Sequence, residues 1–323
     1  MTTLPEAGRP LGAPATGDGR GLDRPGAIEA AFTDADFGTV AALIHRETGI
    51  LITQAKKSML VSRLSRRLRH HGLASFSDYV TLLEGRGGQA ERRALISAVT
   101  TNVTSFFREP HHFDALAALA PDLIARARSG GRVRLWSAGC STGQEAYSIA
   151  ATLLSLAPEI AQLDLRILAT DIDPVVIETA RAGIYDRELL GERTPESLLR
   201  VLQEGPARNL VSMAAPVRSL IRFEVLNLLE PWPFHGQFDI VFCRNVVIYF
   251  DVETRLTLWT RFATRLPEGG TLFLGHSERM DPRLDPLFSP AGVTQYRRTA
   301  VPQSDPALLP TLKNAARKAP ICP

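Results

Sequence analysis

Two rhythms of apolar and polar residues divide the chain. Between about residues 33 and 128, apolar side chains return every three or four positions, the period of an amphipathic helix. A capping signal at Thr33-Asp34-Ala35-Asp36-Phe37 opens a first helix carrying Val40, Leu43 and Ile44, and Gly49 ends it. A second helix is expected over 56–71, with Leu60, Leu64 and Leu68 on one face at about 100° per residue and Gly72 as its stop. Helices over 75–83 (Phe76, Tyr79 and Leu82 inward) and 89–99 follow across a break at Gly85, Gly87 and Gly88. Another runs to about residue 128.

From residue 132 short continuous apolar runs alternate with helical stretches. Strands are expected at 133–136, 165–169, 221–226, 238–243 and 271–274, and helices at 145–156, 174–182 and 252–265. Runs such as Ile240-Val241-Phe242 suit a sheet covered on both faces. The stretch 284–298 adds one or two edge strands. The pattern predicts an α/β protein with a Rossmann-like sheet, preceded by a small all-helical domain. The expected divisions are a tail over 1–28, a helical domain over 29–100, a linking segment and helix over 101–131, a sheet domain over 132–300 and a tail over 301–323. The tails hold too few apolar residues to offset the entropy of ordering them. One stretch, 187–220, interrupts the alternation. A short helix at 195–203, a turn at Glu204-Gly205-Pro206 and two pieces at 210–213 and 216–220 read as a small β insertion.

Composition narrows the class. With 323 residues, 45% apolar and 22% charged, the chain fits a globular protein of two domains, or of one large domain with appendages. A net charge of +3 makes no whole-molecule field for nucleic acid, and no stripe of aromatic and basic residues appears. Cys140, Cys243 and Cys322 are far apart, with no C-x-x-C and no histidine at ligand spacing, against both a disulfide framework and a metal site. No apolar run reaches the ~18 residues of a spanning helix, and the N-terminus has no signal-peptide core. A cytoplasmic protein without membrane insertion is expected.

The candidate chemistry lies at the carboxyl ends of the expected strands. Ser137-Ala138-Gly139-Cys140-Ser141-Thr142-Gly143-Gln144-Glu145 joins a strand to a helix, where open α/β sheets bind ligands. Its glycines let backbone approach a ligand, and the helix start offers unpaired N–H groups. Gly139-x-Ser141-x-Gly143 also matches a serine-hydrolase elbow, with Asp239 and His276 following in the right chain order. The next strand ends in Thr170-Asp171-Ile172-Asp173-Pro174. Asp171 suits a ribose diol, whereas Asp173 before Pro174 reads as a helix cap. Cys243-Arg244-Asn245 reaches the same edge.

The second helix carries Lys56, Arg63 and Arg67 near one line, with Arg66 and His70 beside it and no acidic residue within. A solvated face is the plain reading. Like charges at that spacing repel, however, so an acidic protein partner is the sharper one.

Five motifs in order, Asn102-x-Thr104-x-Phe106-Phe107-Arg108, the glycine loop, Thr170-Asp171-Ile172-Asp173, Cys243-Arg244-Asn245-Val246-x-Ile248-Tyr249-Phe250 and Gly275-His276-Ser277-Glu278, resemble those of the chemotaxis receptor methyltransferases of the CheR type. The resemblance spans roughly 33–298. It implies S-adenosylmethionine-dependent methylation of glutamate side chains on chemoreceptor cytoplasmic helices by a monomer, leaving S-adenosylhomocysteine. By motif position it implies cofactor contacts from Asn102, Thr104, Arg108, Gly139, Glu145, Asp171, Asn227, Leu228, Arg244 and Asn245. Tyr249 and Arg108 stand where methyl and acceptor meet, and Lys56, Arg63, Arg66 and Arg67 stand on the receptor-facing helix. The sequence differs from the family pattern at Gln144, usually Glu, and Ala146, usually Pro. The turn at 203–209 is short against members that dock a receptor tail on this insertion. A cofactor-binding adaptor without catalysis is the other alternative.

Overall fold

The computed structural model describes residues 32–100, 102–191 and 194–300, so the two expected tails lie outside the described residues. Its helical part comprises α1 (Asp34–Thr48), α2 (Lys57–His71), α3 (Phe76–Glu84) and α4 (Gln89–Val99). Thr33 caps α1 reciprocally with Asp36, satisfying two N–H groups, and Gly49 closes it at φ 72°. Leu60, Leu64 and Leu68 of α2 pack against Val40, Leu43 and Ile44 of α1, Phe76 and Tyr79 of α3, and Leu95 of α4 in one core. In α3 it is Leu83, not Leu82, that is fully buried.

The long α5 (His111–Arg128) leads into β1 (Val133–Ala138), α6 (Gln144–Leu156), β2 (Leu165–Asp171) and α7 (Pro174–Ala182). Then come β3 (Ile184–Asp186), α8 (Glu196–Leu199), β4 (Leu202–Glu204), β5 (Leu210–Met213) and α9 (Ala215–Ser219). The chain closes with β6 (Ile221–Val225), β7 (Ile240–Cys243), α10 (Val252–Arg265), β8 (Thr271–Leu274), β9 (Phe288–Gly292) and β10 (Gln295–Arg298).

Seven strands form one sheet in the order β6-β2-β1-β7-β8-β10-β9. The first five are parallel, and β10 runs antiparallel between β8 and β9. The sheet is buried on both sides, as its apolar runs require: Leu135 of β1 enters the core beneath α5 and α6, while Trp136 enters the opposite core with Phe262 of α10. Trp136 also meets Trp232, Phe234 and Phe238, and its indole N–H donates to Thr170 Oγ1 at 2.9 Å.

The insertion is a three-stranded antiparallel sheet with β5 between β3 and β4. Its first strand precedes residue 187. The helix expected over 195–203 is only the single turn α8, because Leu202 and Gln203 pair with β5 instead.

The two parts are joined along the carboxyl edge of the large sheet. Leu51 N–H donates to the Tyr249 carbonyl at 2.9 Å, and Ile50 forms a bridge with Phe250. His45 meets Asp251 at 3.0 Å, and Asn227 donates to the Glu47 carbonyl at 2.7 Å. The nearest atom to an added Cβ on Gly49 would be the movable Leu229 Cδ1 at 2.5 Å, so it is the left-handed φ of 72° that ties glycine to this place in the seam.

Candidate functional site

The chain leaves β1 toward β2 on one side and returns to β7 on the other, so a crevice opens at the carboxyl ends of these strands. The pocket there is walled by several separate stretches of the chain. The linking segment contributes Asn102, Thr104 and Arg108; the glycine loop and the start of α6 contribute Gly139 and Glu145. Asp171 stands at the tip of β2, and Asn227 and Leu228 follow β6. Arg244, Asn245 and Tyr249 follow β7.

Backbone geometry builds the loop first. Gly139 has φ 87°, and a Cβ there would lie 2.3 Å from Val246 Cγ2, so only glycine lets the loop pass under residue 246. Ser141 adopts φ 50° and donates its N–H to Asp171 Oδ2 at 2.8 Å, tying the β1 loop to the β2 tip. Asp173 caps α7 through the Val175 N–H, as its place before Pro174 suggests. It also receives Ser97 Oγ at 2.7 Å and Asn102 Nδ2 at 3.0 Å.

Charge is arranged around Arg244, which is 5% exposed. Its guanidinium lies 3.1 Å from Glu145 and 3.1 Å from Glu109, and it also donates to the Arg108 carbonyl. Burial raises the Glu145 carboxyl above its ordinary value, opposed by Arg244 and the Ser137 hydroxyl. Burial likewise raises Asp171, opposed by the N–H groups of Asp173 and Ser141. Burial pushes Glu109 the same way, but Arg244 and His276 outweigh it and hold that carboxyl at about 2. The thiols of Cys140 and Cys243 are pushed well up by burial, so neither is a nucleophile at neutral pH.

The sequence does not single out Glu109 or Glu278 as site residues. Glu109 adopts φ 59° and bonds His276 Nδ1 at 2.9 Å beside its ion pair with Arg244. Glu278 is buried and accepts N–H bonds from Gly275, Asn245 and Val247, fixing the loop after β7. Glu278 stands inside one of the five motifs and Glu109 directly beside another, which is the only signal the sequence offers for them. Glu109, His111 and His112 bring ligand atoms within 4.8 Å of one another, but Arg244 already acts as the counter-charge on that carboxylate.

The expected basic face is narrower than its spacing suggests. Arg67 is turned inward onto Glu91 of α4, a carboxylate also held by His71 and Tyr79. Arg63 donates to the carbonyls of Ala98, Val99 and Thr100 at the end of α4. Arg66 remains exposed, and Lys56 Nζ lies 5.1 Å from the Tyr249 ring centroid. None of the four lines the pocket. Asn227, by contrast, does line it, but both ends of its side chain serve the local seam, one on Glu47 and the other on the Leu229 N–H.

The hydrolase alternative has no relay. Ser141 Oγ donates to the Asn102 carbonyl. Asp239 precedes the first residue of β7, at the sheet's other edge, where it pairs with Arg126 and accepts the Arg134 N–H.

The donor set also says what fits. Buried carboxylates at Glu145 and Asp171, with Arg244 already paired to Glu145 and Glu109, suit a nucleoside bearing hydroxyls and positive charge. Fold and site thus define a Rossmann-like enzyme for a cationic nucleoside cofactor. The family model for the CheR methyltransferase all-alpha domain matches residues 35–100, and that for the CheR methyltransferase SAM binding domain matches residues 102–297. The chain is 47% identical over 260 residues to a probable chemotaxis protein methyltransferase of Rhizobium etli, covering 80% of this chain and 97% of that one. It is 43% identical over 271 residues to the chemotaxis protein methyltransferase of Klebsiella aerogenes, covering 83% and 91%. Against that of Escherichia coli the identity is 42% over 272 residues, covering 82% and 91%. The chain belongs to the CheR methyltransferase family, and its cofactor is S-adenosylmethionine.

Proposed function

We propose that this enzyme methylates glutamate side-chain carboxylates on the cytoplasmic helices of chemoreceptors, as a cytoplasmic monomer, giving methyl esters. What supports this reading is the match to chemotaxis protein methyltransferases over most of the chain, and the described pocket lining, which holds no histidine or lysine, agrees with it. An acceptor carboxylate needs none, because a glutamate side chain ordinarily titrates at about 4.3 and is already anionic at neutral pH. When bound, the cofactor supplies a methyl group on a positively charged sulfur. Passing that methyl to a carboxylate oxygen would leave a neutral ester and a neutral thioether, so the pocket's own residues would have to hold an anion and a cation together only until the two charges cancel.

The protein's own work is orientation and exclusion of water. Arg108, in the segment over the pocket, and Tyr249, at the end of the loop after β7, are positioned to steer the incoming carboxylate. Alignment of this kind lowers a barrier by up to roughly 7–11 kcal/mol. Asn102, Thr104, Gly139, Glu145, Asp171, Leu228, Arg244 and Asn245 hold the cofactor. Lys56, beside Tyr249, and the exposed Arg66 meet the acidic face of the receptor helix, the role the resemblance gives to all four basic residues.

Radiolabelled methyl transfer from S-adenosylmethionine to receptor cytoplasmic fragments tests this. The label is expected on glutamate and is released as volatile methanol by mild base. Base-stable label, or no transfer to any receptor despite cofactor binding, overturns it.

A further inference from the structure

The inward turn of Arg63 gives this residue a different task from the one its place on the basic helix suggested. Its Nη1 lies 3.2 Å from the Ala98 carbonyl, 2.6 Å from that of Val99 and 3.2 Å from that of Thr100. The last carbonyls of a helix have no partner within it and carry the negative end of its dipole, so a guanidinium there both caps and neutralises α4. Val99 and Thr100 themselves line the cofactor pocket, and Asn102 follows them.

This short run is held from the other side by one carboxylate. Ser97 Oγ and Asn102 Nδ2 take the two oxygens of Asp173, whose own N–H donates to Asp171 Oδ1 at 3.0 Å. The Asn102 carbonyl in turn accepts the Ser141 hydroxyl of the glycine loop at 3.0 Å. The end of α4 is therefore clamped between Arg63 on the helical side and Asp173 on the sheet side.

We propose that Arg63 is a positioning residue for the cofactor pocket: by capping α4 it holds the wall formed by Val99, Thr100 and Asn102 in register with Asp171 and the glycine loop. The proposal goes beyond the receptor reading and does not rest on it. Its ligand is the cofactor, and its primary readout contains no receptor.

Titration calorimetry of the full chain with S-adenosylhomocysteine is the test. Arg63→Ala is expected to weaken binding about tenfold, equivalent to ~1.4 kcal/mol. Arg63→Lys, which restores a cation on the same carbonyls, is expected to recover most of that loss. At saturating S-adenosylmethionine, Arg63→Ala should leave the KM for receptor near that of the parent, whereas Arg66→Glu should leave S-adenosylhomocysteine affinity unchanged and raise receptor KM. Wild-type cofactor affinity in folded Arg63→Ala, or equal weakening in Arg63→Ala and Arg63→Lys, overturns the proposal. If circular dichroism shows Arg63→Ala unfolded, Ser97→Ala releases the same wall from its other side. Weaker cofactor binding there supports the clamp, and unchanged binding overturns it.

Discussion

Glu109 carries more of the site than its side chain alone would suggest. A glutamate in the left-handed region is locally unfavourable, and here the surroundings over-determine it through Arg244, His276 and the start of α5. Glu109→Gln removes the charge that balances Arg244 and leaves a buried guanidinium leaning on Glu145 alone. S-adenosylmethionine affinity is expected to fall by roughly tenfold, a loss of the size of one charge-assisted hydrogen bond, measurable by calorimetry. Glu91 makes a pH prediction. Burial pushes its carboxyl up, but Arg67, Tyr79 and His71 outweigh that and hold it at about 2, below its ordinary 4.5. The folded value is the depressed one, so its stabilisation is complete above pH 4.5 and disappears as pH falls toward 2. Glu91→Gln should cost roughly 3 kcal/mol at neutral pH and flatten the acid limb of a Tm-against-pH curve. Neither residue was legible as such. A search for acids at i,i+4 within α2 could not find partners that lie on α4, over twenty residues away.

At the scale of elements, the periodicities were readable wherever burial is one-sided or complete. The parallel strands and the helices between them follow from apolar runs, and α7 and α10 begin and end where their caps and hydrophobic spacing place them. The failures have a common cause. β3 is three residues long with Ile184 and Asp186 exposed, and β4 offers a half-buried leucine and two exposed residues, so neither shows an alternation to read. Their strand state comes from pairing with β5. The glycine loop is the opposite case, since local sequence dictated its geometry. Gly139→Ala combines a left-handed φ with the 2.3 Å approach to Val246. The backbone alone should cost roughly 1–2 kcal/mol. Displacement of the 244–246 turn should abolish detectable S-adenosylhomocysteine binding while the far-ultraviolet circular dichroism stays native.

For the whole molecule, the seam makes the helical part a structural component of the pocket, because its edge is sewn to the loop after β7 and, through Ser97 on Asp173, to the cap of α7. Cofactor bound at that edge should therefore stabilise both parts together. At a hundredfold excess over Kd the linkage amounts to about 2.7 kcal/mol. Hydrogen exchange with S-adenosylhomocysteine should protect residues 96–105 and 245–250 in parallel; protection confined to the sheet domain would contradict this. Among the described residues no helix is long and apolar enough to cross a membrane.

The position of β10 bears on how the chain can be completed. The rung that links Thr271–Leu274 to Phe288–Gly292 is the last strand in chain order among the described residues. Until it slots in, the parallel half ends in a raw margin and the preceding strand has nothing in this sheet to lie against. A nascent or prematurely stopped polypeptide lacking Gln295–Arg298 would present two unpaired borders at once, a template for sticking to its own kind. The closing segment of the fold thus guards solubility, and shortening the gene at that end should send the product into the insoluble fraction well before it touches the cofactor crevice.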